Sequence, residues 1–116
     1  MEENINLLTD WVTDKIFDVD GIEKIVSSHC RLFCDVERFE DESEPMVNVG
    51  RGFFYTNGYD GSELRKPNED LKELVRRDFY LKHHELFYDK VKKRLDKYGV
   101  CHIVDCHSLY QQEIIR

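Results

Sequence analysis

Tyr98-Gly99-Val100-Cys101-His102-Ile103-Val104-Asp105-Cys106-His107-Ser108 is the stretch on which the reading of the fold turns. A glycine able to end a helix leads into a short apolar run, and the run stops at Asp-Cys-His-Ser. A buried strand of an α/β domain hands polar residues to its carboxyl edge in this way. Side chains alternate along a strand, so Asp105 and His107 are expected on one face and Cys106 on the other. The pattern predicts an α/β domain with a small, mostly parallel or mixed sheet flanked by helices.

Immediately upstream, Phe87, Val91, Leu95 and Tyr98 fall at helical spacing and run into Gly99. Leu71, Leu74, Val75 and Phe79 form an earlier register behind Asn68, a natural cap. The change of register predicts a kink or break around residues 79–84, where His83 and His84 lie. Adjacent helical residues do not face one point, so at most one of these histidines is expected to serve a site.

Before that helix, residues 39–70 carry repeated turn signals: Pro45, Gly50-Arg51-Gly52, Asn57-Gly58, Asp60-Gly61 and Pro67. Residues 52–56 suit a short strand, and Asn57-Gly58 suits a tight reversal. Gly50-Arg51-Gly52 would let the backbone approach a ligand while Arg51 meets an anion, although a plain turn is the better fit, since no strand, glycine-rich loop and helix in succession surround it. Residues 25–36 are rich in strand formers, with an interruption at Ser27-Ser28. Arg31 and Arg38 flank the end of this run, where a guanidinium fork matches a carboxylate ligand or, more simply, a neighbouring Asp. At the beginning, Thr9-Asp10 reads as a helix start, with Trp11, Val12, Ile16 and Phe17 as its apolar face and Asp20-Gly21 as its end.

With 116 residues, 41% of them hydrophobic, the chain is expected to fold as one domain. A formal net charge of −7 disfavours binding to a nucleic-acid backbone, even though Lys92-Lys93-Arg94 forms a local basic patch. The sequence holds no apolar run long enough to cross a bilayer, and Met1-Glu2-Glu3 is acidic, so a cytoplasmic location is expected. Cys30/Cys34 and Cys101/Cys106 are expected to be free thiols there. Their spacings suit a zinc knuckle poorly.

Taken together, five fragments in order resemble the N-formylglutamate amidohydrolase family. They are Leu8-Thr9-Asp10-Trp11, the stretch from Arg31 to Phe39, Gly50-Arg51-Gly52-Phe53-Phe54-Tyr55, Arg77-Asp78-Phe79-Tyr80 with His83-His84, and Asp105-Cys106-His107-Ser108. The resemblance implies a zinc-carboxypeptidase-like fold and metal-dependent hydrolysis of N-formyl-L-glutamate to formate and L-glutamate. It implies zinc as cofactor, with His107 and Asp10 as metal ligands, and a small substrate bearing carboxylates bound by Arg31, Arg38, Arg51 and His84. The family's Pro-Tyr-His reads Lys82-His83-His84 here, so His84 is the matching histidine. A family strand ending in His-Ser-Gly, which supplies another ligand, has no counterpart, and the chain therefore reads as a partial domain of that type. The alternative is a non-catalytic binding domain that keeps the arginines and the scaffold. Exposed sheet edges would favour homo-oligomers in either case.

Overall fold

A computed structural model describes residues 1–108. Its order of elements is α1 (Glu2–Leu8), α2 (Thr13–Ile16), a 3₁₀ turn (Pro45–Val49), α3 (Glu69–Val75), a π-helical turn (Arg76–Tyr80) and α4 (Leu81–Tyr98). The last three run on as a single rod. Asn68 opens the rod as expected, its side chain accepting from the Leu71 N–H at 2.9 Å. Gly99 closes it in the left-handed conformation at φ 70°. The change of register is accommodated without a break: one wider turn at Arg76–Tyr80 rotates the apolar stripe of α4 relative to that of α3.

The expected sheet is not formed. Among the described residues the only β pairing is an isolated antiparallel bridge between Asn57 and Glu63. Residues 25–36 and 100–107 run largely as non-helical backbone without a ladder. A strand is stable only against partner strands, and neither stretch finds one among the described residues. The nearest approach to pairing is a single bond from the Asp35 N–H to the Phe53 carbonyl at 2.9 Å. The α/β reading, and with it the carboxypeptidase-like sheet, is therefore corrected to a helical architecture with extended loops. Among the described residues the sheet edges expected to join copies are absent too. In their place the loops expose Val19, Ile22, Val26, Val100, Ile103 and Val104.

Two further expectations change. Thr9 ends a helix instead of starting one: it closes α1, and its hydroxyl donates back to the Ile5 carbonyl at 2.6 Å. Asp10 thereby sits in the turn between α1 and α2, where Val12 takes φ 67°. The reversal expected at Asn57-Gly58 is a wider loop, closed by the Gly58 N–H on the Ser62 carbonyl at 2.8 Å.

Packing is concentrated at the middle of the rod. Cys34, Phe53, Phe54, Val75 and Tyr80 form the core, with Phe33, Val36, Phe79 and Leu81 against it. The radius of gyration is 16.2 Å, against about 13 Å for a compact chain of this length. The molecule is accordingly flat, with extents of 47 × 44 × 23 Å. Arg65 holds the loops onto the core. Its guanidinium donates to the carbonyls of Tyr55, Leu32 and Phe33, and it lies 3.6 Å from the centre of the Phe54 ring.

Candidate functional site

The site is assembled where the turn after α1, the residues 31–38 and the segment following α4 meet. Asp10 and Ser108 are 98 positions apart, yet Asp10 Oδ1 accepts both the Ser108 N–H at 2.9 Å and the Ser108 hydroxyl at 3.0 Å. This double bond fixes the polar end of the opening stretch against the start of the chain. It brings His107 Nδ1 to 3.5 Å from Asp10 Oδ2. The two residues expected to bind metal are therefore brought together.

On its other side the His107 ring meets its neighbour. Nε2 lies 2.9 Å from Asp105 Oδ2, and since a carboxylate only accepts, Nε2 carries the proton. Asp105 and His107 thus do share a side, as alternation predicted, although no strand is present. The hydrogen bond to Asp105 raises the His107 pKa; burial opposes it, and the charges of Glu37, Asp105 and Asp10 add to the rise. Burial pushes the Asp10 carboxyl up, but the Ser108 bonds, then Arg31 and His107, outweigh it and hold the group below the usual carboxylate range.

A third carboxylate joins them. Glu37 Oε1 lies 3.3 Å from His107 Nδ1. One ligand atom from each of Asp10, Glu37 and His107 lies within 4.8 Å of the other two. A tetrahedral ion with ligands at roughly 2.0–2.2 Å has edges of about 3.3–3.6 Å. The two contacts made by His107 match that edge, and carboxylate and imidazole donors suit a borderline divalent cation. Among the described residues these three side chains bring such donor atoms together.

The arginines behave differently from one another. Arg31 sits among acidic groups, with Nη2 at 3.3 Å from both Asp10 Oδ2 and Glu37 Oε2 and Nη1 at 3.9 Å from Asp35 Oδ2. Burial works against its charge, but Asp35, Glu37 and Asp10 raise its pKa overall. Arg38 lies between Asp35 Oδ2 at 3.5 Å and Glu44 Oε1 at 3.7 Å, and its buried Nε makes no hydrogen bond. Beneath both arginines is Asp35, only 2% exposed, which accepts the Tyr55 hydroxyl at 3.0 Å and the Glu37 N–H at 3.2 Å. Burial, then the Asp35 charge and this bond, push the Tyr55 phenol up. Arg51 is half-buried and has no carboxylate or carbonyl partner for its side chain among the described residues.

His84 works through the backbone. Its Nε2 lies 2.8 Å from the Val36 carbonyl, which makes Nε2 the protonated nitrogen, and its ring lies 4.4 Å from that of Tyr80. The Tyr80 hydroxyl donates to the Arg38 carbonyl at 2.6 Å. The π-helical turn is what places Tyr80 and His84 along the same loop. The Gly50 turn proves structural: at φ 71° its carbonyl accepts the Thr56 and Asn57 N–H groups at 2.9 and 3.0 Å.

Two clefts of the surface lie away from the cluster. One of about 140 Å³ is lined by Gly50, Gly52, Phe54 and Thr56 together with Glu40, Asp41, Glu42 and Glu69 against a single cation, Lys72, a net acidic lining that disfavours a carboxylate ligand. The other is an open groove on α4 beside His84 and Tyr88. The Asp10–Glu37–His107 group itself faces solvent, with the Glu37 and His107 side chains 41% and 38% exposed.

A family model described as N-formylglutamate amidohydrolase matches residues 1–114. The chain belongs to that family, and an amidohydrolase-type function follows at that level. No curated protein and no solved structure matches the chain. Among the described residues no helix is long and apolar enough to cross a membrane.

One residue escapes the sequence reading. Glu37 is visible only as one acid in an Arg-Leu-Phe-Cys-Asp-Val-Glu-Arg run, and nothing in its spacing separates a donor from a surface charge. The simpler partner expected for Arg31 and Arg38, a neighbouring Asp, is Asp35, but it is buried beneath them and not part of a surface pair.

Proposed function

We propose that this chain carries out the hydrolysis of the formamide C–N bond of N-formyl-L-glutamate, giving formate and L-glutamate with a divalent metal, zinc, as cofactor. The observation that carries the reading is the convergence of Asp10 and His107 at 3.5 Å from opposite ends of a chain of this family. Asp10 and His107 would hold the ion. When bound, such an ion polarises the formyl carbonyl and brings the pKa of a water molecule toward neutrality.

The remaining work falls to residues of the chain. Asp105 keeps the proton on His107 Nε2, so that the Nδ1 electron pair is the one offered to a cation. Ser108 fixes Asp10 so that Oδ2 faces the imidazole. Arg51, without a partner among the described residues, suits a substrate carboxylate, and Arg38, whose side chain is partly exposed but paired with Asp35 and Glu44, is the second choice. Arg31, committed to Asp10, Asp35 and Glu37, holds the acidic groups together, and His84 supports the same loop from behind. A reducing cytoplasmic setting, in keeping with four free thiols, belongs to this reading.

The test is formate release from N-formyl-L-glutamate by the zinc-loaded chain, with N-formylglycine as a substrate lacking the second carboxylate. Release that is lost in His107→Gln, together with a higher KM in Arg51→Gln, supports the proposal. The solvent exposure of the site favours a second reading, a non-catalytic domain that binds dicarboxylates through Arg51. Saturable binding of glutarate without formate release would select it.

A further inference from the structure

The geometry points to Glu37 as the third donor of the metal site, completing the set Asp10, Glu37 and His107. This inference rests on the metal-dependent reading above and adds a ligand that the family resemblance does not supply. Two observations carry it. The first is that Glu37 Oε1 stands 3.3 Å from His107 Nδ1, the edge expected between two ligands of a tetrahedral ion. Asp10 Oδ2 stands at a comparable 3.5 Å from the same nitrogen.

The second is the bracing of its backbone. The Glu37 N–H donates to Asp35 Oδ1, the carbonyl before it is held by His84, and the carbonyl after it is held by Tyr80. Three polar groups from the core and the rod therefore fix a residue whose side chain is substantially exposed. Backbone groups of a packed loop need partners whatever the side chain does, and here those partners also hold Glu37 in a fixed place beside His107. Such placement suits a donor, because a metal site depends on ligands already in place. Arg31 Nη2 bridges Asp10 and Glu37, which offsets the repulsion between two carboxylates held side by side. Two carboxylates and one neutral imidazole give three protein ligands, the number that leaves one position for water in a catalytic site.

The experiment is a competitive zinc titration of the full chain with a chromogenic chelator, together with the visible absorption of the Co²⁺-loaded chain. Wild type, Glu37→Gln, Glu37→Asp, His107→Gln and, as a distant control, Asp96→Asn are compared. Circular dichroism establishes that each variant is folded. Loss of an outer partner of a metal site costs roughly 10–100-fold in affinity, so Glu37→Gln is expected to weaken zinc binding at least that much and to alter the Co²⁺ spectrum. Glu37→Asp, which keeps the donor but withdraws it, should fall between the two. If Glu37→Gln binds zinc and colours with Co²⁺ as Asp96→Asn does, Glu37 is not a ligand, while a loss confined to His107→Gln leaves the metal-dependent reading standing. A wild-type chain that binds neither metal overturns both.

Discussion

Replacing Asp35 by Asn is the sharpest probe of how the polar cluster is supported. Both carboxylate oxygens are in use: Oδ1 accepts the Glu37 N–H at 3.2 Å and Oδ2 accepts the Tyr55 hydroxyl at 3.0 Å. An amide offers one acceptor oxygen, so its NH₂ must face a donor. A buried polar group left unmatched costs about 1–3 kcal/mol. The charge is lost as well, leaving Arg31 and Arg38 without the carboxylate they flank at 3.9 and 3.5 Å. Breaking a fully buried ion pair costs about 3–5 kcal/mol, and that must be discounted because these arginine side chains are 23% and 29% exposed. Together the substitution should destabilise by about 3 kcal/mol, a Tm decrease of roughly 12–20 °C for a domain of this size. Urea unfolding followed by circular dichroism measures it. Tyr55→Phe alone should cost about 1.5 kcal/mol, and the double variant should show a coupling of at least about 1 kcal/mol. A cost of Asp35→Asn below about 1 kcal/mol, or additivity of the two substitutions, would refute the view that this carboxylate organises the cluster.

Three other outcomes are expected. Arg65→Lys loses the planar fork that serves three carbonyls and the stacking on Phe54, and should lower stability in urea by about 3 kcal/mol. Gly50→Ala combines a left-handed backbone with a Cβ that collides with Asn57 Oδ1 and Thr56 Oγ1, so a loss of about 2–3 kcal/mol is expected, read from the thermal midpoint. Burial, reinforced by the nearby charge of Asp35, pushes the Cys34 thiol from 9.0 up to about 11. Because the folded pKa lies above the unfolded one, the contribution of the neutral thiol is complete below pH 9 and lost as the pH rises toward 11. The urea midpoint should therefore fall over that window by the equivalent of about 2 kcal/mol more in wild type than in Cys34→Ala.

The site was more legible than the fold. Asp10, His107 and their neighbours stand in fragments whose residue types and order carry the family resemblance, and that information survives whatever the backbone does between them. The strands did not survive. Residues 25–36 and 100–107 have strand composition, but composition reports only that a side chain would fit a pleated surface. Whether the surface exists depends on partners elsewhere, and the described residues provide a single backbone bond, Asp35 to Phe53, where a ladder was expected. Thr9 shows the same limit at short range. A threonine before an acidic residue suits the start of a helix, yet here it closes the preceding one through its bond to Ile5.

The sequence by itself determined the long helical rod, its Asn68 cap and its Gly99 stop, because those depend on local spacing and on residue chemistry. The two residues that meet at the site were picked out by the family resemblance of the fragments that hold them. The tertiary structure alone decided that Glu37 joins Asp10 and His107, that Arg31 is committed to acidic neighbours while Arg51 is not, and that His84 and Tyr80 act on backbone carbonyls. Each of those outcomes is a distance between groups far apart in the chain. Such distances are set by how the loops pack against the rod, and periodicity and composition do not encode them.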